Sequence, residues 1–253
     1  MQVVGQEKLR QQLINNLPIT TLIVGEVGSG RKTVSEYICN KLNIPYFLLS
    51  NKVEDLRQIE ILDTDYVYIL SDFDTCSVNA KNSMLKILEE DPYPTRFILT
   101  CSNLNDVPTT IQSRCQIFFM EPYSKEDLSI LCENPNIVDI CDTPQEIKDI
   151  EPIFNDLTQF CDKVIDNVDK TILSNALKIG QYIQMKKDKE GYNLKLFLKV
   201  ILNKYMSLYE NTKENVYLQR ALITSSNIDK LKLPSVVKQM VFDDWVFSIR
   251  GEI

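Results

Sequence analysis

Up to about residue 120 the chain alternates short apolar runs with stretches of helical periodicity. Thr20 to Val24, Tyr46 to Leu49, Tyr66 to Leu70, Arg96 to Cys101 and Gln116 to Met120 each have the length of a strand buried on both faces, where apolar residues need not alternate with polar ones. Between them, Arg31 to Leu42 places Val34, Ile38 and Leu42 at i, i+4 and i+8. Asn79 to Glu90 does likewise with Met84, Leu85 and Leu88. Strands and helices in alternation predict crossover connections, and hence an α/β core with a mostly parallel sheet covered by helices on both sides.

After Pro122 the strand-like runs stop. Ser124 followed by Asp127 has the pattern of a capped helix start, and Thr143-Pro144-Gln145-Glu146 has another, with Thr143 as N-cap and Pro144 at the first helical position. From Glu151 onward the helices lengthen. Phe197, Leu198, Ile201, Leu202, Tyr205, Leu208 and Tyr209 form an apolar stripe at helical period, and Val237, Met240, Val241 and Trp245 mark a last helix. Lys186 to Gly191 reads as a charged connection. The predicted segments are 1–121, 122–152 and 153–253.

Composition narrows the chemistry. The charge balance is 28 Lys+Arg against 35 Asp+Glu, a net −7, which opposes autonomous binding to nucleic acid because counterion release needs clustered cations. There is no His, so the Ser-His-Asp and Cys-His mechanisms and the commonest zinc ligand are excluded. Seven cysteines contain no C-x-x-C pair, so no zinc site is expected, and scattered placement predicts reduced thiols serving as small core residues. No apolar run is long enough to span a bilayer and the opening residues lack a signal-peptide core, so the expected location is the cytoplasm.

The strongest local signal is Gly25-Glu26-Val27-Gly28-Ser29-Gly30-Arg31-Lys32-Thr33, after a predicted strand and opening a predicted helix. A phosphate-binding loop reads G-x-x-x-x-G-K-[ST], with backbone amides cradling phosphates, Lys reaching the terminal oxygens and a hydroxyl holding Mg²⁺. Gly25, Gly28 and Gly30 fit, but Arg31 stands at the Lys position and Lys32 at the hydroxyl position. Sliding the motif to use Lys32 and Thr33 fails, because one residue rotates a helical side chain by about 100°. Arg31 still attracts an anion, whereas Lys32 cannot ligate Mg²⁺. Weak ATP, ADP or anion binding and an unliganded Gly-rich turn both remain open.

The partner element should be an apolar strand ending in Asp-Glu, for Mg²⁺ and for the attacking water. Tyr66 to Leu70 is instead followed by Ser71-Asp72-Phe73-Asp74. In one register Ser71 takes the metal position and Asp72 the water position; in the other Asp72 takes the metal position and Phe73 the water position. Each register loses a role, and phosphoryl transfer depends on all these parts together.

Further motifs carry a family resemblance. Asn82-Ser83-Met84-Leu85-Lys86-Ile87-Leu88-Glu89-Glu90-Asp91-Pro92 resembles the N-[AS]-[LM]-L-K-x-L-E-E-P-P helix of sliding-clamp loader subunits. Phe97-Ile98-Leu99-Thr100-Cys101-Ser102-Asn103 resembles their sensor strand, Ile111-Gln112-Ser113-Arg114-Cys115 their I-x-S-R-C motif, and Val3-Val4-Gly5-Gln6 their opening. The resemblance covers about residues 1–120. A zinc-binding insertion present after the first helix in many bacterial members is missing, with Cys39 alone nearby.

The resemblance implies an AAA+ core (1–121), a helical lid (122–152) and a helical collar (153–253) that joins other clamp-loader subunits in a hetero-pentameric ring. Such a ring places a sliding clamp on primed DNA during replication, without a membrane partner. The defects at Arg31, Lys32 and Ser71 match the bacterial delta-prime subunit, which implies no required cofactor and no autonomous ATPase activity. Arg114, between Ser113 and Cys115, then reaches the γ-phosphate of a neighbour's nucleotide. Taken alone, Arg114 reads as an intrachain salt bridge, and Glu89 and Glu90 as surface salt-bridge residues rather than a catalytic pair. The alternative is an ATP-hydrolysing motor subunit or another AAA+ ATPase.

Overall fold

The computed structural model describes residues 3–52, 64–89, 94–168, 170–184, 192–233 and 236–251. Two compact units divide at Ile147 and Lys148.

The first unit begins with α1 (Glu7–Asn15) and is built on five strands: β1 (Thr20–Val24), β2 (Tyr46–Leu49), β3 (Tyr66–Leu70), β4 (Thr95–Cys101) and β5 (Gln116–Phe119). They pair in parallel in the order β2-β3-β4-β1-β5, with Thr20 opposite Phe97, Leu22 opposite Ile117 and Tyr68 opposite Phe97. Side chains alternate across a strand, so consecutive apolar residues supply two separate cores. Leu22, Tyr68, Leu70, Phe97 and Leu99 pack with Met84 and Leu88 of α3 (Val78–Glu89) on one face. Ile23, Val67, Ile69 and Ile98 pack on the other with Leu13 of α1 and with Val34 and Ile38 of α2 (Arg31–Leu42). Double burial explains the unbroken apolar runs of β1, β3 and β4, whereas the edge strands β2 and β5, expected to be buried on both faces, leave Phe47, Leu48 and Phe119 exposed because each has a neighbour on one side only.

The boundaries differ slightly from the expected ones. β4 begins at Thr95, which pairs with Tyr66, and β5 ends at Phe119, although the Met120 amide still donates to the Val24 carbonyl at 2.8 Å. Glu90 to Pro92, like the Lys186 to Gly191 connection, lie outside the described residues. The short helix α4 (Thr109–Gln112) precedes β5, and α5 (Lys125–Ser129), α6 (Pro135–Ile140) and the start of α7 (Pro144–Ile150) follow it. Ser124 and Asp127 form the expected reciprocal cap of α5, and the Glu146 amide donates to Thr143 Oγ1 at 3.3 Å. The Lys125 ammonium donates to the carbonyls of Val138, Asp139 and Cys141 at 2.8–3.0 Å, closing the exposed end of α6.

Among the described residues the second unit is helical apart from two short paired strands, β6 (Ile183–Gln184) and β7 (Tyr192–Asn193). Its helices are α8 (Phe154–Asn167), α9 (Leu173–Lys178), α10 (Leu194–Thr212), α11 (Asn215–Lys230) and α12 (Lys238–Arg250). The stripe expected at 197–209 lies on α10, with Phe197, Leu198, Ile201 and Tyr205 buried. On α12 the buried face is Val241, Phe242, Trp245, Val246 and Ile249, whereas Val237 and Met240 are exposed. The Trp245 indole donates to Thr224 Oγ1 at 3.0 Å and stands edge-on to Phe197, with ring centroids 5.6 Å apart. No helix among the described residues is long and apolar enough to cross a membrane.

Candidate functional site

Strand β1 delivers the chain into the glycine-rich loop, where the Gly25 amide donates to the Cys101 carbonyl at 3.1 Å. The loop therefore starts at the ends of two paired central strands. Gly28 and Gly30 adopt φ of +85° and +84°, a left-handed conformation that a Cβ would oppose. The Ser29 amide returns to the Glu26 carbonyl at 3.1 Å, closing a four-residue turn, and Gly30 then caps α2.

Residues following β5 cover this loop within the same unit. The Tyr123 hydroxyl donates to the Ser29 carbonyl at 2.6 Å, and the Gln145 amide donates to the Gly28 carbonyl at 3.3 Å. A Cβ on Gly28 would lie 2.9 Å from both Thr143 Oγ1 and Gln145 Cβ, so this glycine is required by close approach as well as by its backbone angle. Burial, reinforced by the Asp127 charge, pushes the Tyr123 phenol up to about 12 and keeps it a neutral donor. The opening segment is tied in as well. Gln6 donates through Nε2 to the Glu121 carbonyl at 2.6 Å and accepts from the Glu121 amide at 2.9 Å.

Arg31, at the position of the phosphate-binding Lys, is only 7% exposed. Its Nη1 donates to the Gly25 carbonyl at 2.9 Å and its Nη2 to Asp72 Oδ1 at 2.6 Å. The cation at the phosphate-binding position is thus neutralised by Asp72 of the second element. Lys32 points elsewhere: it is exposed and lies 3.9 Å from Glu36 Oε1, one helical turn on, as the rotation per residue requires. Thr33 is half-buried in the first turn of α2.

Asp72 has a φ of +53°, and its amide donates to Thr100 Oγ1 at 3.1 Å. Phe73 is fully buried in the core, so in the register with Asp72 at the metal position no polar group stands at the water position. Ser71, half-buried at the end of β3, supplies no carboxylate at the metal position.

Asp74 is a feature that neither register identified. It accepts from the Ser102 amide at 2.9 Å, the Ser102 hydroxyl at 2.5 Å and the Asn103 amide at 3.1 Å. Burial works against its charge, but these bonds and the nearby Arg31 outweigh it and hold the carboxyl below the ordinary aspartate value. Asp74 therefore fastens the segment after β3 to the end of β4. The Asn103 side chain is used locally, accepting from the Asn105 amide at 3.1 Å and donating to Asp106 Oδ2 at 2.7 Å.

Arg114 lies just beyond α4, and the residues around it hold that turn in place. Ile111 is fully buried, Gln112 Nε2 donates to the carbonyls of Leu104 and Val107 at 3.0 and 2.8 Å, and Ser113 Oγ donates to Thr110 O at 3.1 Å. Cys115 packs partly buried against the core, where burial pushes its thiol up to about 12, unsuited to nucleophilic work. The Arg114 guanidinium alone turns outward, with its side chain 37% exposed. Nη1 donates to Thr110 O at 2.8 Å and Nη2 to Glu89 Oε1 at 3.1 Å.

The loop and the Arg114 turn thus differ in what they offer a ligand. At the loop Arg31 and Asp72 are spent on each other, while Arg114 presents a charged planar fork at the surface in an exposed pair with Glu89. Among the described residues no group of three or more His, Cys, Asp or Glu side chains is placed to hold a metal ion.

Comparisons with known proteins agree with this architecture. Residues 50–124 match the family model described as DNA polymerase III, delta subunit. A DNA polymerase III subunit gamma/tau of Mycoplasma genitalium is 23% identical over 94% of this chain and 52% of its own length. A DNA polymerase III subunit gamma of Buchnera aphidicola is 26% identical over 50% of this chain and 46% of its own. The chain spans about half the length of these curated relatives. Among solved structures, a DNA polymerase III gamma subunit-related protein of Thermotoga maritima superposes with a TM-score of 0.54, at 18% identity over 97% of this chain and 98% of that one.

Proposed function

We propose that the chain is a clamp-loader AAA+ protein, as its relatives suggest, and within that family a non-hydrolysing, delta-prime-like subunit of a DNA polymerase clamp loader. It supplies Arg114 in trans to an adjacent ATPase subunit in a cytoplasmic hetero-pentameric ring that loads a sliding clamp on primed DNA. Residues 122–152 serve as its lid and 153–253 as its collar. The observation that carries this reading is the buried Arg31 paired with Asp72. Hydrolysis needs a cation free to neutralise the terminal phosphate, a carboxylate for Mg²⁺ and a group that orients water. Arg31 and Asp72 are engaged with each other, and Ser71 cannot take the place of either acid.

Arg114 has the properties of a group that acts on a neighbour. Its charge is permanent, its fork matches phosphate oxygens, and the backbone turn that carries it is held by the bonds of Gln112 and Ser113. Charge develops on the transferred phosphoryl oxygens in the transition state, and an arginine delivered in trans is worth about 10³–10⁵ in rate.

The experiment is reconstitution of the full chain with the ATPase subunits of its own clamp loader. The expected results are no Mg²⁺-dependent ATP turnover by this chain alone, and a sharp loss of turnover by the assembly with Arg114→Ala. The gamma names of the relatives favour a second reading, an ATP-hydrolysing motor. Turnover by the isolated chain would select that reading instead.

A further inference from the structure

Among the described residues Arg114 has two polar partners of unequal kind. The Thr110 carbonyl is neutral and belongs to the same turn, so it moves with the arginine. Glu89 is charged and belongs to a different element, α3. It stands in the last described turn of that helix. The pair is open to solvent, with side chains 37% and 48% exposed, and belongs to the weak class of surface ion pairs. A terminal phosphate offers the guanidinium more charge and two parallel hydrogen bonds, and is the better partner.

From this geometry we infer that Glu89 is a positioning residue, an exchangeable counter-ion. It holds Arg114 in the free chain and releases it to the terminal phosphate of a nucleoside triphosphate presented by the adjoining subunit. The inference rests on the trans role of Arg114 proposed above and adds a nucleotide-state filter to it. Exchange requires the terminal phosphate, so a diphosphate-loaded neighbour leaves Arg114 on Glu89. Once unpaired, the Glu89 carboxylate repels the phosphate it now faces, which opposes docking and keeps it reversible.

The test measures the affinity of the full chain for its full-length ATPase neighbour, loaded with either a non-hydrolysable ATP analogue or ADP. Wild type is compared with Glu89→Gln, Arg114→Ala and the double variant, and partner turnover is measured alongside. Glu89→Gln should tighten binding to the triphosphate-loaded neighbour about two- to fivefold, the scale of an exposed ion pair. It should leave ADP-state binding unchanged and have no effect in the Arg114→Ala background. Equal tightening in both nucleotide states, weaker binding, or a shift that survives removal of Arg114 would each overturn the inference. If Arg114→Ala impairs triphosphate-state binding and turnover while Glu89→Gln is silent, the counter-ion role alone fails. If Arg114→Ala changes neither, the trans role itself fails and the inference falls with it.

Discussion

Arg31 and Asp72, 41 residues apart in sequence, meet at 2.6 Å and join the glycine-rich loop to the segment after β3. The arginine is nearly buried and the aspartate about half exposed, so removing the acid strands a charge that solvent only partly reaches. Asp72→Asn should lower stability by about 1–2 kcal/mol, discounted for the exposed partner. Urea unfolding followed by circular dichroism checks this, and an unchanged midpoint would show that the pair contributes nothing.

Arg114 should behave in the opposite way. Its ion pair with Glu89 is exposed, so Arg114→Ala should shift folding stability by less than about 1 kcal/mol. Assembly turnover should nevertheless fall by orders of magnitude. A variant that loses both in parallel would point to a structural role.

Asp74 predicts a pH dependence. Its carboxyl is held below the 3.8 of an unperturbed aspartate, because its hydrogen bonds and Arg31 outweigh the effect of burial. A depressed folded value means that the contribution is fully present above the unfolded value and is lost as pH falls through the folded one. The stability gap between wild type and Asp74→Asn should be widest near neutrality and close below about pH 4. Denaturation midpoints measured from pH 7 down to pH 3 would reveal it, and a constant gap would rule it out.

The cysteines predict the alkaline limb. Burial pushes the Cys39 and Cys115 thiols up to about 12 and those of Cys76 and Cys101 up to about 11. Unfolded thiols ionise from about 9, so folding stability should decline as pH rises past that value. In the native protein at pH 8 these four thiols should alkylate far more slowly than in the unfolded chain. Mass spectrometry of iodoacetamide-treated samples would record the difference.

In the second unit the sole tryptophan gives a local readout. Trp245 is fully buried and donates to Thr224 Oγ1, whose hydroxyl in turn donates to the Arg220 carbonyl at 2.7 Å. Trp245→Phe removes one hydrogen bond and leaves a small void, and should cost about 2 kcal/mol. Differential scanning calorimetry of the variant checks this, while intrinsic fluorescence of wild type follows the melting of this helical unit specifically.

Much of the core was legible because its central strands β1, β3 and β4 are buried on both faces. Tyr66 to Leu70 needs no alternation when Val67 and Ile69 fill one layer while Tyr68 and Leu70 fill the other. Pro144 and Ser124 announced helix starts through chemistry confined to three or four residues. The last helix was legible in place but not in facing. Met240 is apolar yet exposed, and Phe242 carries the burial instead, because the choice depends on what α12 packs against. The charge pairing at the loop was not legible either. Arg31 could be seen to be unusual, but its partner depended on how β1 and β3 are spaced by β4. Asp74 carried only a faint signal, a second acid two residues after Asp72, and its role appears once Ser102 is seen beside it.

The contact between the Gln145 amide and the Gly28 carbonyl makes the roof of the loop part of its backbone network. Any molecule that lifts that roof must expose this amide, and the Tyr123 hydroxyl beside it, to deuterium. Isotope uptake at a single peptide bond would therefore work as a gauge of whether the old cleft ever opens, even for visitors too fleeting to leave a calorimetric trace.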